Sequence, residues 1–151
     1  MTVLQKLLTS LFLFSILFNE AIASDSAFSA RGSCEVSLGY AEEGDNGLQA
    51  RGGTTILKCP LTKNFGTSEN STVYARISRA SMDKAKPFCF LVSTPPYGTS
   101  QDVSYGYAGD YEGSQSINMS LPTLYLTGYL DLYCVLNNQD ILFGVRYVQA
   151  E

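Results

Sequence analysis

The stretch YLDLYCVL, Tyr129 to Leu136, decides the fold. Leu130, Leu132, Cys134 and Leu136 fall on every second position, with Tyr129, Asp131 and Tyr133 between them. Side chains of a β-strand alternate between two faces, so this pattern sends one set toward a core and the other toward water. A helix of the same sequence would scatter the four apolar residues around its circumference. Asn137 to Asp140 (NNQD) is turn chemistry, and Ile141 to Val148 follows as a closing strand.

Short strands separated by turn residues recur upstream. Cys34 to Tyr40 sets Cys34, Val36, Leu38 and Tyr40 against Glu35, Ser37 and Gly39, which predicts a half-buried strand. Glu42 to Gly47 (EEGDNG) is a turn, with Asn46–Gly47 as a hairpin signal. In Thr54 to Leu61, Thr55, Leu57, Cys59 and Leu61 share a face, and Pro60 marks a strand end or edge. Thr72 to Ala80 places Val73, Ala75 and Ile77 on one side, and Phe88 to Ser93 is an apolar strand around Cys89 whose phenylalanines are left unassigned to a face. Gln101 to Ala108 alternates Val103, Tyr105 and Tyr107, and Ser116 to Leu121 adds a further strand. No segment sustains a helical period; Met82 to Lys86 makes at most a single turn. Seven or eight short strands with regular turns predict an all-β protein, an antiparallel two-sheet sandwich of Ig-like build, with a small β-barrel as the runner-up.

The first 23 residues read as a secretory signal peptide. Lys6 supplies the positive n-region, Leu7–Leu8 and Leu11 to Phe18 the apolar core, and Ala21-Ile22-Ala23 a small-x-small cleavage site before Ser24. The apolar run is shorter than the roughly 20 residues a membrane span needs, so no integral membrane segment is expected after cleavage. The organisation expected is leader 1–23, a flexible arm 24–33 and one β-domain 34–151, located in the periplasm or outside the cell.

Four cysteines beyond such a leader predict two disulfides. Three pairings are open. The reading leans to Cys34–Cys59, tying the mature N-terminus to the second strand, with Cys89–Cys134, joining two strongly apolar strands. Each bridge would contribute roughly 3–4 kcal/mol by restricting the unfolded chain. There is no C-x-x-C, so neither zinc-ribbon nor thioredoxin chemistry is indicated.

Absences narrow the chemistry further. The chain has no histidine, which removes Ser-His-Asp and Cys-His catalysis and His-ligated zinc. The formal net charge is −4. Arg76, Arg79, Lys84 and Lys86, interrupted by Asp83, read as a solvated strand edge and loop, so nucleic acid is not an expected partner. Glu42, Glu43 and Asp45, like Asp102, Asp110 and Glu112, read as solvated turns that match no calcium loop. No cofactor, metal or catalytic residue is assigned. Asn70 and Asn118 open N-glycosylation sequons.

The oddest composition is Tyr97 to Tyr111 (YGTSQDVSYGYAGDY), where Tyr97, Tyr105, Tyr107 and Tyr111 mix with Gly, Ser and Asp. Tyrosine gives large amphipathic contact area at low entropic cost, so these four are candidates for contact with a protein or glycan surface. Plain packing against the sheet is the competing reading.

Cys59–Pro60, the strand Phe88–Cys89–Phe90, then Leu132–Tyr133–Cys134 and the tail Gly144–Val145–Arg146–Tyr147 resemble a loose group of small, exported, uncharacterised bacterial proteins. The resemblance implies a β fold with disulfides and carries no activity. A weaker likeness links Ser33–Cys34–Glu35–Val36–Ser37 to pilin-type and spore-coat-type sandwich subunits, which would imply self-association by strand donation. Phe28 is the one large apolar residue in the arm that could be donated. The function expected is therefore a non-enzymatic binding or structural role. A subunit of an extracellular filament is the first alternative, and a small secreted enzyme or enzyme inhibitor the second.

Overall fold

A computed structural model describes residues 26–61, 71–97, 101–122 and 128–148. The expected leader and Asn70 lie outside the described residues. The fold is all-β and antiparallel: β1 (Ser26–Ser29), a four-residue helical turn α1 (Ala30–Ser33), β2 (Glu35–Gly44), β3 (Gly47–Leu61), β4 (Thr72–Arg79), β5 (Phe88–Thr94), β6 (Asp102–Tyr107), β7 (Gly113–Ser120), β8 (Tyr129–Leu136) and β9 (Ile141–Val148). One hydrogen-bonded network runs β6-β5-β8-β3-β9-β4-β7, with β1 added to β9 and β2 to β3.

The long hairpin β2–β3 joins two halves of this network. The Thr55–Leu61 end of β3 pairs with β8, whereas Leu48 and Gln49 pair with β9. Between them β3 turns a corner at Gly52 and Gly53, both with positive φ, a region closed to most side chains. The β2 register slips on either side of Leu38 at the same place, where bulges bend a strand that serves two halves. Thr55 Oγ1 donates to the Tyr40 carbonyl at 2.9 Å and ties the corner together.

The two ends of the order meet. A Cβ on Gly106 of β6 would lie 2.6 Å from the Asn118 carbonyl oxygen of β7, so only glycine allows this approach. No ladder joins β6 and β7 among the described residues, and the sheet is a nearly closed small barrel.

The core follows from the alternation. Leu57, Cys59, Cys89, Leu91, Leu132, Cys134 and Leu136 point inward from one half, and Val73, Ala75, Ile77, Ile117, Met119, Leu142 and Val145 from the other. β8 is buried at alternate positions, as its sequence predicts. The disulfides are Cys34–Cys59 and Cys89–Cys134.

Four elements differ from the sequence reading. Val36, Leu38 and Tyr40 were expected on a half-buried face, but all three are exposed. The cause is position: β2 is the outer strand of the hairpin, pairs only with β3 among the described residues, and has nothing packed over it there. The hairpin turn is Asp45–Asn46, with Gly47 already paired to Gly44. The arm 24–33 was expected to be flexible, yet from Ser26 onward it is built in: Ser26–Ser29 pair with Gly144–Tyr147, and Ala30 is fully buried. Arg79, expected at a solvated edge, is buried. Its guanidinium donates to the carbonyls of Ser81, Met82, Lys84 and Gly109 at 3.2, 3.4, 2.9 and 3.0 Å.

Candidate functional site

The outer face of the β6-β5-β8-β3 half carries the most distinctive surface. Cys89 and Leu91 are buried, so alternation turns Phe88 and Phe90 outward. Antiparallel register then sets their neighbours. Phe88 stands opposite Tyr107 on β6 and Val135 on β8, and Phe90 opposite Tyr105 and Tyr133. Continuing across β3 and β2, one row reads Tyr107–Phe88–Val135–Ile56–Leu38, and the next reads Tyr105–Phe90–Tyr133–Lys58–Glu35.

Five rings thus form one array. Centroids lie 5.1 Å apart for Phe90–Tyr133, 5.7 Å for Phe88–Tyr107, 5.9 Å for Phe90–Tyr105 and 6.2 Å for Phe88–Phe90, with interplanar angles from 11° to 36°. Such cross-strand aromatic pairs stabilise the sheet by about 0.2–1 kcal/mol each. They also leave a broad apolar surface in water. Tyr105 and Tyr107 remain 58% and 64% exposed, and Leu38 61%. An exposed aromatic patch of this kind marks a contact surface more often than a scattered apolar residue does. The charged groups nearest the array are paired: Lys58 Nζ lies 3.7 Å from the Asp131 carboxylate.

The four tyrosines singled out from the sequence separate into two groups. Tyr105 and Tyr107 share the array. Tyr97 is fully exposed beyond the end of β5, and Tyr111 sits in the β6–β7 turn, half-exposed, away from the ring stacks. Phe88, Phe90 and Tyr133 were not singled out. A usable signal existed: a core-facing cysteine between two phenylalanines forces both rings to the opposite face.

Several carboxylates among the described residues are held by structural partners. Glu42 and Glu43 bridge to Arg51 and Arg31, each at 2.9 Å. Asp110 bridges to Lys86 at 2.7 Å, and the hydrogen bond from that ammonium holds its carboxyl below the usual carboxylate range. Glu112 accepts from the Met82 backbone N–H at 3.0 Å. Asp140 is buried and accepts the backbone N–H groups of Ala80 and Asn137, both at 2.8 Å, which is a structural role. Among the described residues no three His, Cys, Asp or Glu side chains are grouped to hold a metal ion, and no helix is long and apolar enough to cross a membrane. Asn118, of the second sequon, is exposed on β7. No protein-family model matches the chain, and no curated protein or solved structure matches it either.

Proposed function

We propose that this chain is an exported, disulfide-stapled β-domain that acts by non-enzymatic contact, using the aromatic face of β6, β5 and β8 against a flat protein or glycan surface. The observation that carries this reading is the continuous array of Phe88, Phe90, Tyr105, Tyr107 and Tyr133 on one sheet face. Two disulfides support an oxidising location, in line with the leader in the sequence. Rigid rings held by a sheet lose little conformational entropy on binding, which favours contact by such a face.

The test is co-sedimentation with washed cell envelopes and with insoluble polysaccharide, comparing the wild type with Tyr105→Ser/Tyr107→Ser. Burying two half-exposed rings is worth about 1–2 kcal/mol each, so the double variant should be retained at least about tenfold less well, while the two lost cross-strand pairs lower its melting temperature by only a few degrees and leave it folded at the assay temperature. Protease treatment of the envelopes separates the partners: lost retention identifies a protein, persistent retention a glycan. Equal retention of variant and wild type refutes the reading.

A second reading, assembly by strand addition, is favoured by β2. Its outer edge pairs with no described strand and carries Val36, Leu38 and Tyr40 in the open. It requires concentration-dependent oligomers, and a monomer at every concentration in size-exclusion chromatography excludes it.

A further inference from the structure

One edge of β9 is shared by two strands. β3 pairs there with Ile141 and Leu142 and begins just past the Asp45–Asn46 turn. The rest of that edge, Gly144–Tyr147, is paired by β1. Among the described residues no other strand covers it. Gly144 fits the arrangement. A Cβ there would lie 2.6 Å from the Phe28 carbonyl oxygen, so the edge is shaped to receive this strand. Phe28 stands opposite the buried Val145 and packs on the core. Without β1 this stretch of β9 would be an open template beside the core.

Little else holds β1. Of the described residues before Cys34, Ala30 is buried in the core and Phe28 partly so; the rest of the core comes from Cys34 onward. The link is α1, four residues long. Its Ser29 N-cap makes no side-chain hydrogen bond, and it is closed by the Cys34 N–H donating to the Ala30 carbonyl at 2.9 Å. A Cβ added at Gly32 would meet nothing within 4 Å. A single helical turn does not sustain itself. The Arg31–Glu43 bridge beside it is more than half exposed and contributes little. Directly after α1, Cys34–Cys59 bolts the chain to β3. β1 and α1 can therefore lift away together while the rest of the core stays in place.

We infer that β1 is an exchangeable arm: at high protein concentration two copies of this chain exchange it, each β1 pairing with β9 of its partner in a twofold dimer. Exchange of an identical element regains every contact of the closed form. The balance is then set by the effective concentration of the tethered arm, on the order of mM for so short a link. Straightening the four residues of α1 lengthens the arm by about 7 Å. With that reach two copies must abut at their β1 edges, which closes a pair and does not build a chain of subunits. The inference goes beyond the aromatic face, which lies on the other half of the barrel, and it uses a different edge from that of β2.

The experiment is size-exclusion chromatography with light scattering on the oxidised protein, at about 20 µM and after incubation at about 2 mM, which bracket that effective concentration. Monomer is expected at the first, and about a third or more of the protein as dimer at the second. Ala27 and Arg146 stand directly opposite each other, both exposed. The double variant Ala27→Cys/Arg146→Cys, oxidised while dilute, ties β1 to its own β9 and should stay monomeric at about 2 mM. The two single variants, mixed at about 2 mM and then oxidised, should give interchain bridges joining positions 27 and 146 at least about fivefold more often than 27–27 or 146–146 bridges. That measurement serves if the double variant misfolds. A wild type that stays monomeric at the higher concentration, a tied variant that dimerises like the wild type, cross-links without the 27–146 preference, or open-ended polymers in place of a dimer each overturns the inference. A dimer indifferent to the tie assigns assembly to another surface such as the β2 edge, and none of these results bears on the aromatic face.

Discussion

Cys89 and Cys134 stand directly opposite on β5 and β8, both fully buried, with a Cα separation of 4.1 Å and a sequence separation of 45. Replacing both with alanine frees the unfolded chain from that loop. In the chain-entropy treatment a loop of this length accounts for about 13 cal/mol/K, or about 4 kcal/mol at 25 °C. Two truncated sulfurs in the closed core add about 1 kcal/mol each through lost packing. The sum, about 6 kcal/mol, approaches the whole stability of many domains, for which 5–15 kcal/mol is usual. The melting temperature should fall by roughly 15–20 °C. The Cys34–Cys59 bridge spans 25 residues, and Cys34 is only partly buried. Its loop term is about 3.5 kcal/mol with less packing to lose, so Cys34→Ala/Cys59→Ala should be the milder variant. Thermal unfolding under non-reducing conditions, followed by near-ultraviolet circular dichroism, measures both. A loss below about 1 kcal/mol for the Cys89/Cys134 variant would refute the argument, as would an outer-bridge variant clearly weaker than the inner one.

Three further outcomes are expected. Arg79→Met removes the guanidinium that satisfies four carbonyls between Ser81 and Gly109; it should cost about 3 kcal/mol or more in a urea titration, and a neutral result would show that water replaces it. The Tyr147 hydroxyl is buried with no hydrogen-bond partner, so Tyr147→Phe should be neutral or stabilising by up to about 1 kcal/mol, and a clear destabilisation would reveal a partner. The Lys86–Asp110 bridge lowers the Asp110 pKa, so its contribution is present above the ordinary carboxylate pKa and lost as pH falls through the lowered value. Asp110 is fully exposed, so Asp110→Asn should leave the melting temperature at pH 7 almost unchanged.

Elements with one wet face and one dry face were legible in the sequence. β8 and β9 have the bounds expected, 129–136 and 141–148: β8 buries alternate residues against a filled core, and β9 buries Leu142 and Val145 on either side of the slip at Phe143. β2 shows the same alternation at Val36, Leu38 and Tyr40 but lies outside the core. A pattern of period two reports a strand, and nothing in it says whether a second layer covers that strand. The aromatic face was half legible: Tyr105 and Tyr107 stood out by composition, while Phe88 and Phe90 needed the knowledge that Cys89 faces inward. The placing of Arg76 and Arg146 on one sheet face was not legible, because they are 70 positions apart in sequence and come together only through the β4–β9 register. Arg79 misled for a related reason. Its burial depends on carbonyls exposed by the loop from Ser81 to Lys84 and by Gly109, and sequence does not place those.

The pairing of β1 with β9 has a consequence for the order of events during synthesis. The first described strand has as its partner the last one, so Ser26–Ser29 must wait for Gly144–Tyr147 to be made. No N-terminal fragment can complete this sheet, and a ribosome-bound chain keeps its early segments open. Pairings so distant along the chain also slow folding. The same adjacency brings the two ends of the described chain side by side, where a short linker could join them and new termini could be opened elsewhere. A permutant opened at the Asp45–Asn46 turn would carry β1 and β9 as one covalent hairpin and should reach the folded state sooner than the natural order allows.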